Sequence, residues 1–299
     1  MKVEAPSSIG SFARLLAILS SYFALAKLGT VLWPSGWVMV PVIGCSFILS
    51  GCLNAAHDCV HSTHYGSRWL NRIFGIAWCT VILFNFTIYR RQHIIHHRFP
   101  GVEGDTESPS RIVTVLDYLL VQSSLAFWKA IFKRMVLTWR HEFPNSISSK
   151  QLERAAQIDN LTIHLWLTLC IWCTYNWPEI MIPGYWLPLF FYPIFVLFFS
   201  LPEHFALNQK NIDWPRARNV SSNMVVRFFQ WNANYHALHH RRPRVPALGL
   251  YKAWRSEGNG HDPWESSYLR FHFQLIENLY QNQKLPFNPH NQKKGNEHD

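Results

Sequence analysis

Four long apolar stretches, almost free of charge, constrain the fold of this chain more than any other feature. Leu15 to Trp33 is 19 residues with one charge, Lys27, and Trp37 to Ala56 is 20 residues with none. Only the turn sequence Pro34-Ser35-Gly36 lies around their junction. Leu161 to Trp177 and Tyr185 to Pro202 form a second pair, with no acidic or basic residue except His164, and are split by the segment from Pro178 to Gly184. About 20 apolar residues in a helix match the ~30 Å hydrocarbon core of a bilayer. Helices of a soluble α protein carry a charged face at the helical period, and these carry none. The pattern predicts an all-α integral membrane protein with four transmembrane helices in two hairpins, spanning about 15–33, 37–56, 161–177 and 185–202.

The polar remainder sets an orientation. Of the 28 Lys and Arg, three precede the first turn, twelve fall between His57 and Asn160, thirteen follow Ala206, and neither hairpin turn carries any. Positive loops stay in the cytoplasm, so both termini and both large polar regions are expected there, folded as a helical cap. One domain over 1–285 with a polar, mobile tail over 286–299 is expected. The first apolar stretch runs into its hairpin without a clear cleavage site, so no secretory signal is read. The net charge of +10 fits this topology and attraction to anionic headgroups. Its Lys and Arg are not interleaved into a nucleic-acid-binding pattern, so no nucleic-acid partner is expected. Charged residues at 15% with aromatics at 15% exclude a disordered chain, and six cysteines in 299 residues exclude a disulfide scaffold. Cys170 and Cys173, a Cys-x-x-Cys inside the third span, read as packing residues.

Sixteen histidines are placed on this frame far from evenly. His57, His61 and His64 follow the second span, and share one face if its helix continues. His93, His96 and His97 form His-x-x-His-His, a spacing that His236, His239 and His240 repeat. His204 ends the fourth span in Pro202-Glu203-His204. Only 28 residues separate His64 from His93, and crossing a bilayer twice takes about 40, so the apolar stretch Ile73–Tyr89 is expected to dip into the interface and return. Ile112–Val136, with Asp117, Lys129, Lys133 and Arg134, reads as an amphipathic helix along the membrane, and the two segments together suit the roof of a lipid-facing cavity. His141, His164, His261, His272, His290 and His298 fit no cluster.

Imidazole suits Zn, Cu, Fe or Ni, and one tetrahedral zinc takes at most four protein ligands. Nine or ten convergent histidines therefore fit two metal ions. His57-Asp58-Cys59-Val60-His61 approaches a zinc-peptidase motif but has Asp where the general-base Glu belongs. A metal transporter or storage protein is the reading from a different class, but it wants ionisable ligands near the bilayer midplane, where only His164 and Lys27 lie.

Three boxes, His-x3-His, His-x2-His-His and His-x2-His-His, the first and last each following a membrane hairpin, resemble the membrane fatty-acid desaturase and hydroxylase superfamily. Gly104-Asp105-Thr106-Glu107, Pro202-Glu203-His204 and Asn234-Tyr235 add to the likeness, which covers roughly His57 to Pro246. The resemblance implies a non-haem di-iron centre of two Fe2+ ions with O2 as co-substrate. Position by position it implies His57, His61, His93, His96, His97, His204, His236, His239 and His240 as ligands, with His64 beside them. Metal-bound histidines donate their other N–H to carboxylates or carbonyls, and Asp58, Asp105, Glu107 and Glu203 are the candidates. Ala237-Leu238 stand where many relatives have an acidic residue.

The implied reaction is desaturation or hydroxylation of an unactivated C–H bond in a fatty acyl lipid, with a carotenoid hydroxylase or ketolase as the variant within the superfamily. Two electrons must come from a donor. No His-Pro-Gly-Gly haem signature is present, so a separate ferredoxin or cytochrome b5-like protein is expected, with Arg216, Arg218 and Arg241-Arg242-x-Arg244 as possible docking charges. The expected location is a bacterial inner membrane.

Overall fold

The computed structural model of the chain describes residues 7–107, 112–207, 216–257 and 262–281. The tail expected to be mobile, His261, His290 and His298 lie outside the described residues. The first apolar stretch forms α1 (Ser8–Leu32), which starts ahead of the expected span because the Ser7 hydroxyl accepts from the Gly10 N–H at 3.0 Å and caps it. Ile9, Leu16, Phe23 and Val31 lie along its outer face, each more than 60% exposed, an apolar surface suited to lipid contact. A short 3₁₀ turn (Gly36–Val38) leads into α2 (Met39–Val60). This is the enclosed element: 56% of its apolar stretch is buried, against 11% in α1.

The second hairpin is α7 (Lys150–Asn176) followed by α8 (Pro178–Met181), a π-helical turn (Ile182–Trp186) and α9 (Leu187–His204). Among the described residues, three helical rods are long and apolar enough to cross a membrane: Ser8–Leu32, Gly36–Val60 and Pro178–His204. With 27 residues α7 has the length, but Asp159, Asn160, Thr162, His164 and Thr168 interrupt its apolar sequence. Several of its apolar side chains still face outward, among them Leu165, Ile171 and Trp172.

Between the hairpins, α3 (Arg68–Val81) and α4 (Phe86–His96) meet at 105°, and α5 (Val115–Gln122) and α6 (Leu125–Trp139) at 50°. If each bent pair counts as one span, up to five are present. The sharper bend is pinned to α7. Asp159, fully buried, accepts from the Thr87 N–H at 2.7 Å and the Thr87 hydroxyl at 2.6 Å, and from Arg72 Nη2 at 2.8 Å. His61 and His93, which flank this pair, end with ring nitrogens 3.1 Å apart. The bent segment therefore brings its two ends back to one place. The single amphipathic helix expected over Ile112–Val136 is instead two, broken where Ser124 adopts a left-handed φ of 59°.

After α9 the chain makes β1 (Asn219–Val220), α10 (Met224–Phe229), α11 (His236–Arg241), α12 (Ala247–Glu257), β2 (Trp264–Glu265) and α13 (Tyr268–Tyr280), with β1 and β2 paired in parallel. The end of α10 packs directly on α2, where a Cβ at Gly51 would overlap the Phe229 carbonyl oxygen. Beside it, Gln230 donates to the Phe47 carbonyl and the Ser50 hydroxyl, each at 3.0 Å, and accepts from Asn54 at 2.9 Å. These contacts lock the approach to the last histidine box onto the central helix.

Candidate metal centre

Four elements bring the histidines to one end of the bundle. His57 lies on the last turns of α2 and His61 at its C-cap. The helix does not continue through the first box as expected: the chain turns at Ser62, φ 61°, and His64 leaves the face shared by His57 and His61. Asn85 starts α4 by accepting the Ile88 N–H at 3.1 Å, which sets the phase that presents His93, His96 and the C-cap His97. His204 is the last residue of α9. The six-residue α11 has its start fixed from a distance, because Asn219 Oδ1 accepts from the Ala237 and Leu238 N–H groups at 3.0 and 3.3 Å.

Nine histidines converge in two groups, with the ligand-capable atoms within each lying within 4.8 Å of one another. One holds His57, His61, His93, His97 and His239; the other holds His96, His204, His236 and His240. Each His-x-x-His-His box is therefore divided, with one residue of the adjacent pair in each group. In the larger group the Nε2 atoms of His61, His93, His97 and His239 follow one another at 3.1, 2.9 and 3.1 Å. In the smaller, His96, His204, His236 and His240 do so at 3.1, 2.7 and 3.1 Å. The two groups touch where the His97 and His240 rings stack with centroids 4.2 Å apart.

The donor set fits cations. His57 Nε2 is buried with no protein partner, while its ring lies 4.3 Å from those of His93 and His239. Nitrogen lone pairs directed at a common point repel unless a cation or proton occupies it, and imidazole-bound metals with bond lengths near ~2.1 Å bring neighbouring nitrogens about 3 Å apart. Protons are disfavoured here. Burial, and then the charge of neighbouring histidines, holds His236, His239 and His240 well below the usual imidazole range and His97 at about 2. Neutral imidazoles are the form that binds metal.

Outer partners orient several rings. His93 Nδ1 lies 2.9 Å from Glu107 Oε2, His96 Nδ1 2.8 Å from Asp105 Oδ1, and His204 Nδ1 2.8 Å from the Arg216 carbonyl. Burial tends to raise Asp105, but His96 and the N–H groups of Glu107 and Gly101 outweigh it and hold the carboxylate below its usual range, whereas burial pushes Glu107 up to about 7. Glu203 is 3.6 Å from His236 Nδ1, beyond hydrogen-bonding range. Asp58 serves none of the nine: it pairs with His64 Nδ1 at 3.1 Å and accepts from the Ala247 N–H at 3.3 Å, tying the first box to α12. His64 stands outside both groups, packed on Trp231 with ring centroids 4.4 Å apart. The Arg216 carbonyl and Asn219 escape a search for side-chain patterns, since one acts through its backbone and the other caps a helix distant in sequence.

The sequence profile of the family described as fatty acid desaturase matches residues 32–260. The chain belongs to this family. A rice (Oryza sativa subsp. japonica) protein named sphingolipid delta(4)-desaturase DES1-like is 24% identical over 249 residues, covering 81% of this chain and 70% of its own. One of the same name from Arabidopsis thaliana is 25% identical over 243 residues, covering 79% and 69%. The desaturase is thus an oxidoreductase with a metal-binding histidine cluster and helices suited to a membrane. Its candidate docking arginines are largely committed internally. Arg218 is buried and donates to the Phe205 carbonyl at 2.6 Å, Arg241 pairs with Asp262 and Glu257 at 2.8 and 3.0 Å, and Arg242 pairs with Glu257 at 2.6 Å. Arg244 remains exposed.

Proposed function

We propose that each histidine group holds one iron ion and that the desaturase uses O2 to introduce a double bond into the acyl chain of a membrane lipid. The division of nine histidines into groups of five and four, with the buried His57 Nε2 otherwise unpartnered, carries this reading. Two ferrous ions so held supply the reduction of O2 and the removal of hydrogen from an unactivated C–H bond. The protein holds the rings rigid through Glu107, Asp105 and the Arg216 carbonyl, which fix Nδ1 and leave Nε2 for metal. Burial of His93, His96 and His239 keeps bulk water from the site.

The same ligands serve hydroxylation, and the relatives' names favour desaturation. They also bring a sphingolipid forward as substrate. We further propose four spans, α7 being the fourth, with both termini and the histidines on the cytoplasmic side, and a separate protein as electron donor. Purified protein should carry about two irons per chain, and lipids from expressing cells should show species lighter by two hydrogens. Full activity with zinc in place of iron overturns the metal assignment, and a gain of one oxygen instead of the loss of two hydrogens makes the enzyme a hydroxylase.

A further inference from the structure

A cavity of about 230 Å³, open on one side, lies where α6 crosses the early turns of α7 and is bordered by the bend between α3 and α4. Its walls are mostly apolar, including Ile88, Ile131, Met135 and Ile163. Besides Tyr89, four polar side chains stand among them: Asn85, whose amide is satisfied by the Ala156 carbonyl and the Ile88 N–H, and Gln92, Arg134 and Asn160. Asn160 is 1% exposed, and its Nδ2 donates to the Met135 carbonyl at 3.1 Å, which sets the amide's orientation and leaves Oδ1 without a donor. Gln92 is half-buried, and its side-chain amide has no hydrogen-bond partner among the described residues. Arg134 reaches only a long contact, Nη1 to the Glu142 carbonyl at 3.4 Å. A buried carbonyl oxygen without a donor is costly, and a cavity wall is where a ligand can supply one.

The cavity adjoins the histidines. Gln92 precedes His93 in the chain, and Tyr89, also in the wall, has its ring centroid 5.7 Å from that of His93. Tyr89 and His93 lie four residues apart on α4 and so share a face of that helix, which runs from the cavity wall to the histidines.

We propose that this cavity is a subsite for an uncharged polar group of the lipid, a hydroxyl or secondary amide, lying within a few bonds of the carbon that is oxidised. The needed chemistry is specific: a donor for Asn160 Oδ1, an acceptor for Arg134, and either for Gln92. A hydroxyl or N–H offers both, whereas a carboxylate or thioester has no proton to give. The apolar wall takes the adjoining methylenes, and its volume of about 230 Å³ admits a fragment rather than a whole lipid. This deepens the reading of the chain as a lipid desaturase and rests on it for the word oxidised.

The test is equilibrium binding of three labelled C16 probes to the purified full chain in detergent: an N-acyl sphinganine, palmitate and methyl palmitate. The amide-diol is expected to bind about tenfold more tightly than the methyl ester, the size of one or two net hydrogen bonds. Gln92→Leu and Asn160→Leu should remove most of that difference while leaving methyl ester affinity unchanged, which also reports that the variants are folded. Gln92 is half-buried, so its variant stands alone if Asn160→Leu loses ester binding. Equal affinity for all three probes, tightest binding of palmitate, or an undiminished preference in Gln92→Leu overturns the subsite. Preferential binding without lipid oxidation instead overturns the desaturase reading and leaves the subsite standing.

Discussion

His96 and His97 are neighbours in the chain but belong to different groups, His96 with His204, His236 and His240, and His97 with His57, His61, His93 and His239. A helix turns about 100° per residue, so adjacent side chains point along divergent directions and can serve two ions from one turn. His96→Ala and His97→Ala should therefore each retain about one iron per chain after exposure to a mild chelator, and the double variant close to none. Metal analysis checks this, and equal loss from both single variants would show one shared site. The convergence of three boxes and His204 was legible from their spacing, which also counted His64, and the set of nine came with the family resemblance. Their division was not. The two boxes have the same spacing, and which ring nitrogens meet depends on how α2, α4, α9 and α11 are brought together. His272, which fits no box, proves to be structural: it bonds to the Tyr118 hydroxyl at 3.1 Å and the Phe198 carbonyl at 2.8 Å, joining α13 to α5 and α9.

Among the elements, the bend between α3 and α4 depends on a side chain of another helix. Asp159 is 1% exposed and receives both donors of Thr87, while the Arg72 side chain it also binds is 35% exposed. Solvent screens the arginine, so the buried Thr87 bonds dominate. Asp159→Ala should lower unfolding stability by about 1–3 kcal/mol, and double-variant cycles should give larger coupling with Thr87→Val than with Arg72→Ala. Thermal unfolding in detergent measures both. That the segment brings its ends back together was legible from the 28 residues between His64 and His93. The latch was not, because Asp159 reads as an ordinary acid ahead of a span until α7 is seen to begin at Lys150. The same extension explains why α7 is the least apolar of the long helices: its first turns carry exposed polar residues, Lys150, Gln151 and Arg154, and the buried Asp159 and Asn160 that follow have protein partners.

For the whole molecule, the proposed topology places the turn from Trp177 to Pro183 opposite the histidines. Five native cysteines are buried, Cys45, Cys52, Cys59, Cys79 and Cys170, and Cys173 is half-buried, so a cysteine added on the surface reports its own side. In intact cells a membrane-impermeant thiol reagent should label Glu179→Cys and spare Arg98→Cys, and membrane disruption should expose the second. Labelling of both, or of Arg98→Cys alone, inverts or breaks the arrangement. Hairpins were legible here because charge is missing over whole helices, whereas the exact limits of α1, α2 and α7 depended on caps and extensions beyond the oily core.

On the two-iron reading, the divided boxes also bear on the order of biosynthesis. The larger group draws on α2, α4 and α11, the smaller on α4, α9 and α11, so both need the last box, His236 to His240. Earlier residues supply four of the five members of the larger group and two of the four of the smaller, and complete neither. On the two-iron reading, a growing chain cannot complete a coordination sphere until residue 240 has left the ribosome and α11 has folded back against α2. Metal delivery is then a step after translation, and a chain stopped before Tyr235 lacks both finished centres rather than carrying one of them.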